Sequence, residues 1–428
     1  MMYSYLASQA ESIDSAVFYS DKGITVGVQH YPDYWAMTGD AFSAKGYLYQ
    51  DFQKYDSALV YYYKADSCFY SGNRDEDANY WYWINRRNIA SAYFRMGRYD
   101  TTIILLEEYR ERCRRNGMRS AVSLTYLAKS YVAIGDSGSA EKIYLENLED
   151  CRKANGAQSN EYSNALWVLG DFYSRFGNYV LGIEYFNKAL VVDEKRGNPN
   201  SLNSIYTLIQ IARNYEAIKD TMSANLTFRE AISRSNSTPA PIGYTYRAYG
   251  AFLERTGNIS QAILNFRRAC LTDSISKGAS SVDYVNALED YASFCLRQNN
   301  LKEADSAYAI LVPIKINLYG EISIQCAYTY LSVSELLRRS GDLVLALDTA
   351  LKAQQYIVLR AGSQHPLYRS AILAIVNTFS EGLNRPELAV AYAHELYTID
   401  SVLTPNNVSR MSVNTGNLGF YHRKAGQF

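Results

Sequence analysis

Small and large apolar positions recur along the chain in a fixed order. The stretch 169–190, LGDFYSRFGNYVLGIEYFNKAL, shows it: Gly170, then Tyr173, Gly177, Gly182 and Phe186. The stretches 89–109, 126–148 and 249–270 repeat the order, with a small residue, an aromatic or Leu, a turn, a second small residue and a second large one. Two antiparallel helices joined by a tight turn account for this. Helices approach closely only where side chains are small, so the small residues mark the crossing, with Gly170 expected to face the region of Gly182. Gly97, Gly135, Gly177, Gly257 and Gly341 fall where each first helix should end, in the left-handed conformation that closes it. Asp or Asn follows in Gly135-Asp136, Gly177-Asn178, Gly257-Asn258 and Gly341-Asp342, completing the turn. Pro32, Pro199, Pro239, Pro241, Pro366 and Pro405 fall between hairpins, Pro386 in a turn within one, and Pro313 near an expected helix end. A helix interior excludes Pro because it lacks the N–H.

The markers run nearly the whole chain. In the first helices the small residue is Gly46, Ala90, Ala128, Gly170, Ala212, Gly250, Ala292 and Ser334. In the second helices it is Ala16, Ala58, Thr102, Ala140, Gly182, Ala224, Ala262, Ala304, Ala346 and Ala389, with successive spacings of 42, 44, 38, 42, 42, 38, 42, 42 and 43. The large second-helix residue is Tyr62, Leu106, Tyr144, Phe186, Phe228, Phe266 and Tyr308. These residues resemble the tetratricopeptide signature, whose usual period is about 34. The longer period, and the connector Leu359 to Pro366, look like the kinesin-light-chain type. The resemblance implies an all-α fold, a right-handed solenoid of stacked antiparallel hairpins that bury surface only against neighbours. It also implies three parts: a partial first repeat at 1–34, an array of about nine hairpins at 35–411, and a last repeat at 412–428 holding a first helix only. Residues 3–11 read as the tail of an earlier first helix, so the chain reads as part of a longer protein.

Composition narrows the function. The chain has 428 residues, too many for one ordinary core, with 43 Lys and Arg against 43 Asp and Glu. Zero net charge argues against a dedicated nucleic-acid binder. The 40 tyrosines suit a thin structure whose side chains lie near a surface, and equally a contact face. Cys68, Cys113, Cys151, Cys270, Cys295 and Cys326 form no CxxC and read as buried thiols of a reducing, cytoplasmic compartment. The start of the chain is no signal peptide, and no run approaches a membrane span.

The chemistry-bearing residues are sparse. His30, His365, His394 and His422 are scattered, and no phosphate-binding, dinucleotide, zinc-protease or nucleophile-elbow motif is present. No enzyme activity, cofactor or metal is expected.

In the resembled family the groove is lined by first helices, which singles out a cation five residues after the small marker: Arg95, Arg175, Arg255, Arg297, Arg339 and Lys424. A ladder of arginines holds carboxylates or phosphates well. The same residues occupy last turns, where a cation complements the helix dipole, and that alternative stands beside the first. Further candidates are Arg87, Asn88, Lys129, Trp167, Asp171, Arg213, Arg247, Asp290 and Glu335, with Trp167 an anchor or a core indole. Glu289, Asp290 and Glu335 would make the groove mixed in charge. The run Arg110, Arg112, Arg114 and Arg115 reads as a solvated helix end paired with Glu107, Glu108 and Glu111. The reading is a non-catalytic scaffold that binds a peptide or protein, without nucleic acid or membrane. The alternative is a regulatory arm of a larger protein with a CHAT peptidase, histidine-kinase or DNA-binding output domain. Oligomeric state is not legible.

Overall fold

The computed structural model describes residues 13–30, 35–71, 76–116, 121–238, 242–383, 385–403, 416 and 418–426. Every regular element among them is a helix. The chain divides into two compact units, Met1–Pro199 and Asn200–Phe428. Unit one contains α1 (Ile13–His30), α2 (Trp35–Asp51), α3 (Tyr55–Ser71), α4 (Glu76–Arg95), α5 (Tyr99–Asn116), α6 (Ala121–Ala133), α7 (Ser137–Asn155), α8 (Asn160–Arg175) and α9 (Tyr179–Lys195). Unit two contains α10 (Leu202–Ala217), α11 (Thr221–Asn236), α12 (Gly243–Arg255), α13 (Ile259–Lys277), α14 (Val282–Arg297), α15 (Leu301–Tyr319), α16 (Ile324–Ser340), α17 (Leu343–Ala361), α18 (Pro366–Asn377) and α19 (Pro386–Leu403). Residues 418–424 are also helical. The stretch 3–11 and Pro32, Pro239, Pro241 and Pro405 lie outside the described residues.

Even-numbered helices are the first, and odd-numbered helices from α3 the second, of each antiparallel pair. Their turns form as the sequence predicts. Gly97, Gly135, Gly177, Gly257 and Gly341 all have positive φ, and Gln53, Lys219 and Asn299 adopt the same conformation in the other turns. Asn178 N–H closes one turn on Tyr173 O at 2.9 Å, and its Oδ1 then accepts Leu181 N–H at 3.3 Å to cap α9. Asp136, Asp220, Asn258 and Asp342 cap their helices the same way.

The small markers from Gly46 to Ser334 and from Ala58 to Ala389 are buried, as are all seven large second-helix residues. Gly170, however, faces the ring of Phe186 and not Gly182: a Cβ there would stand 2.7 Å from that ring. The small residue thus makes room for an aromatic two turns into the partner helix. The other face of that aromatic serves the next hairpin. Tyr144 meets Phe172 at 5.3 Å, Phe228 meets Phe252 at 5.1 Å and Phe266 meets Phe294 at 4.9 Å between ring centroids. Each ring therefore links two repeats, and its full burial stabilises the stack by about 1.5–3 kcal/mol.

Three prolines depart from expectation: Pro386 is the first residue of α19 and not part of the turn before it, and the other two are Pro313 and Pro366. Pro313 lies inside α15, well before its end. It is tolerated because it sits on the exposed face, where water can serve the carbonyl of exposed Ala309 that it leaves without a partner. Pro366 begins α18 instead of standing in the connector, with His365 Nδ1 capping Leu367 N–H at 3.2 Å.

Within unit two the first helices α10, α12, α14, α16 and α18 each touch the next, and in unit one α2 touches α4 and α4 touches α6. Among the described residues no two second helices are in comparable contact. Each unit is therefore drawn together on its first-helix side.

Candidate functional site

The arginine ladder is engaged within the protein. In unit two each of its members reaches back to the preceding first helix. Arg255 forms a bidentate pair with Glu216 of α10, at 2.6 and 2.9 Å. Arg297 does the same with Glu254 of α12, at 2.9 and 2.8 Å. Arg339 donates to the terminal carbonyl of Leu296 at 3.0 Å and to Glu335 at 2.6 Å. These guanidinium groups staple successive first helices at their turn ends. Neither a free ladder nor simple dipole complementation describes them. In unit one Arg175 pairs with Asp171 of its own helix at 2.7 Å, and exposed Arg95 stands near Asp51. Lys424 lies 4.9 Å over the Phe420 ring.

Burial pushes the Glu254 carboxyl up, but the hydrogen bond and charge of Arg297, with Gln298 and Arg255, outweigh it and hold the group below its ordinary value. A carboxyl depressed on folding contributes stability above its unfolded pKa, and that contribution disappears as pH falls through the folded value. The stability of the protein should therefore drop on acidification below about pH 4.5. Arg297→Met should make that drop shallower, read as urea midpoints across the acid range; an unchanged slope would remove Glu254 from the acid response.

Other candidates scatter. Half-buried Arg87 donates to Asn88 Oδ1 at 3.3 Å, and Lys129 is exposed on α6. Trp167 packs against Phe186, with ring centroids 5.7 Å apart, and against Leu166, Ala189 and Val192, so it is a packing indole more than a free anchor. Glu289 is turned inward onto Lys315 and Thr329. Arg110 and Arg114 converge on Glu146 of α7, Arg115 pairs with Glu111, and Arg86 takes Glu108. Three of the four arginines of that run thus have carboxylate partners, and Arg112 lies 5.8 Å over the Trp83 ring. His394 and His422, distant in sequence, meet through their Nε2 atoms at 3.1 Å on the surface.

Three predicted residues do come together: Arg213, Arg247 and Asp290, beside a cleft in unit two of about 850 Å³. Its origin is a helix that starts late. Counting back to the small marker, α10 begins ten residues before Ala212 (212 − 202) and α14 ten before Ala292 (292 − 282), but α12 only seven before Gly250 (250 − 243). Three missing residues remove about 4.5 Å of helix. The first turns of α10 and α14 stand as walls on either side of that gap, with Leu202 and Tyr206 on one and Asp283 and Asn286 on the other. Tyr244 and Arg247 of α12 line it between them, and Lys277 of α13 closes the end.

The late start also changes how α12 is capped. Ser201 and Ser281 cap α10 and α14, whereas Ile242 at the cap of α12 has no side chain to offer. Asp273 of α13 substitutes: its Oδ1 accepts Gly243 N–H at 2.9 Å. A side chain at 243 would overlap that carboxylate, so glycine is required there. Burial raises the Asp273 pKa above its ordinary value, against the lowering pull of the Gly243 N–H.

In the cleft the rings of Tyr206 and Tyr244 lie 5.5 Å apart. The Tyr244 ring carries a guanidinium on each of two approaches, Arg213 at 5.7 Å and Arg247 at 5.8 Å. Arg247 is held by Asp290 at 2.6 Å. Arg213 is exposed and forms no ion pair among the described residues. Sequence reasoning missed Tyr206, Tyr244, Lys277, Asp283 and Asn286. Their signal was the 38-residue spacing from Ala224 to Ala262, shorter than its neighbours by the turn that α12 lacks.

Stacked antiparallel hairpins joined through first-helix contacts and ring pairs define a helical-repeat protein. Within them, residues 161–237 match the tetratricopeptide repeat model. The chain is similar to the apo form of RapI, at 12% identity over 86% of this chain and 99% of that one, with a TM-score of 0.51. It is also similar to the apo quorum sensor NprR from B. thuringiensis, at 15% identity over 73% and 85%, with a TM-score of 0.48. A third is a set of kinesin-light-chain TPR-like repeats from Podosopora anserina, at 10% identity over 57% and 96%, with a TM-score of 0.35. No curated protein matches the chain by sequence. No described helix is long and apolar enough to cross a membrane.

Proposed function

We propose that this protein is a non-catalytic scaffold that binds a peptide or a partner protein on the face formed by its first helices. One observation carries the reading. In unit two the first-helix side presents a cleft whose walls leave Leu202 56% and Tyr206 37% exposed, beside the Arg213 guanidinium, which has no ion pair among the described residues. Uncovered apolar side chains next to aromatic and arginine groups are the composition of a protein contact surface. The tetratricopeptide repeats at 161–237 and the RapI-like fold are consistent with it.

The test places a photo-crosslinking amino acid in the full chain, in its own cells, at Tyr206 on α10 or at Leu226 on α11. Leu226 is 55% exposed, so both sites are reachable. Adducts with a defined partner should form from position 206 and not from 226. Equal capture from both, or capture from 226 alone, would refute binding on the first-helix face.

A further inference from the structure

We propose that His394 and His422 form a two-imidazole site for a divalent transition metal, Ni²⁺, Cu²⁺ or Zn²⁺, at the seam between α19 and the helix at 418–424. The inference goes beyond the scaffold reading and is independent of it, because neither histidine lines the cleft.

The two residues stand 28 positions apart on separate helices, so no spaced motif marks them. Packing brings them together. Tyr421 is buried in one apolar cluster with Ala389, Ala393 and Leu396 of α19, and Leu418 and Ala425 pack against it. His394 and His422 follow Ala393 and Tyr421 in the chain, which sets them at the rim of that cluster. His394 is exposed and His422 half-buried, so water and dissolved ions reach the pair.

The geometry is that of two ligands and not of two packed rings. The Nε2 atoms lie 3.1 Å apart, whereas the ring centroids are 5.2 Å apart with the planes at 75°. The nitrogen ends meet and the ring faces do not. Imidazole binds Zn²⁺ at about 2.0–2.1 Å, so two nitrogens on one ion stand about 2.9 Å apart at a right angle and about 3.4 Å apart at the tetrahedral angle. The observed separation falls between these limits. An ion can take both nitrogens with neither helix moving, and water fills its remaining positions. With no ion, the N–H of one ring donates to the other, a single surface hydrogen bond that contributes little.

The donor set selects the metal. Imidazoles suit Zn²⁺, Cu²⁺ and Ni²⁺, whereas Ca²⁺ and Mg²⁺ require oxygen ligands. The carboxylates of α19 nearest in sequence are turned elsewhere: Glu395 accepts from Tyr368 at 2.6 Å, and Glu387 pairs with Arg385. Exposed Arg423 and Lys424 follow His422 and add no ligand. No group of three or more His, Cys, Asp or Glu side chains that could hold a metal occurs among the described residues, so the pair has no better-furnished competitor there. A bound ion ties α19 to the helix that follows it. It stabilises that seam by mass action, because the unfolded chain does not hold the two imidazoles together.

The experiment is isothermal titration of Ni²⁺ into the full chain at about pH 8, where protons compete least for the imidazoles. One ion should bind per chain, and thermal unfolding should shift upward. His394→Gln and His422→Gln should each weaken binding about hundredfold and cancel the shift, because a chelating pair becomes a single ligand. His394 is exposed, so its replacement leaves the packing intact, and the helical circular-dichroism signal should not change. His365→Gln removes a histidine elsewhere in unit two and should leave the Ni²⁺ affinity as it was. Mg²⁺ should neither bind nor shift the unfolding. Ni²⁺ affinity that is absent in the parent, unchanged in both variants or weakened in only one would overturn the assignment, as would an equal response to Mg²⁺. Each of those results leaves crosslinking from position 206 unaffected, so the scaffold reading stands or falls separately.

Discussion

Glu289→Ala should destabilise unit two by about 3–5 kcal/mol, the cost of leaving a buried charge without its counter-ion. Lys315 reaches from α15 into the space between α14 and α16. Its Nζ donates to Glu289, to Thr329 Oγ1 at 2.8 Å and to the Gln325 carbonyl at 3.4 Å. The side chains of Lys315 and Glu289 are only 5% and 19% exposed. Remove the carboxylate, and two neutral acceptors must hold an ammonium that water does not reach. The pair itself is expected to add little over an apolar replacement, because desolvating both ions offsets their attraction. The double variant Glu289→Leu with Lys315→Met should therefore recover most of the loss. Urea or thermal unfolding of the three variants decides the matter. A single variant within about 1 kcal/mol of the parent would mean that Lys315 finds water when its partner is gone.

That ion pair shows what the sequence could and could not reveal. The hairpins were legible because their constraint is local. A small residue, a turn Gly and a large residue recur at fixed offsets; the structure buries the small residues from Gly46 and Ala58 onward and the large second-helix residues, and leaves the turn glycines exposed at positive φ. Gly170 was assigned the right role but the wrong neighbour, because spacing tells that a residue must be small and not which side chain comes down on it. Contacts between repeats were harder. Arg255, Arg297 and Arg339 were visible as a series, yet their partners Glu216, Glu254 and Leu296 lie about one repeat away, where no local pattern records the pairing. Glu289 was read as a groove residue because its cation stands on the second helix of its own hairpin, 26 residues along the chain, where no local pattern marks it. The cleft was legible only as a shortfall in length. The 38-residue spacing is in the sequence, but its meaning depends on α10 and α14 keeping the turn that α12 lacks. Arg213, Arg247 and Asp290 were named as first-helix residues, and they converge because they belong to the three first helices that frame that gap.

The second large effect is expected at the hairpin crossings. Two glycines, Gly170 and Gly250, have the same offset and the same aromatic partner, yet they should respond differently to Ala. Built on Gly170, a Cβ would lie 2.7–2.9 Å from three atoms of Phe186, closer than carbon atoms can pack. Built on Gly250, it would lie 3.3–3.4 Å from Phe266, a tight but tolerable contact. Replacing a mid-helix Gly by Ala favours the helix by about 1 kcal/mol, and this gain is the same at both sites. At Gly250 it should roughly cancel the crowding, leaving stability near that of the parent. At Gly170 the ring must move, and Phe186 is 1% exposed with Trp167 packed on it, so it has little room. Overpacking of this kind costs about 1–3 kcal/mol. Gly170→Ala should therefore be destabilising on balance and Gly170→Leu more so, at the upper end of that range or beyond. Phe186→Ala creates its own cavity, but added to Gly170→Leu it should cost less than the sum of the two single changes, because the new side chain occupies the space the ring vacates. Strictly additive losses would place the Leu somewhere other than against Phe186, and equal tolerance of Ala at both glycines would contradict the packing of the crossing.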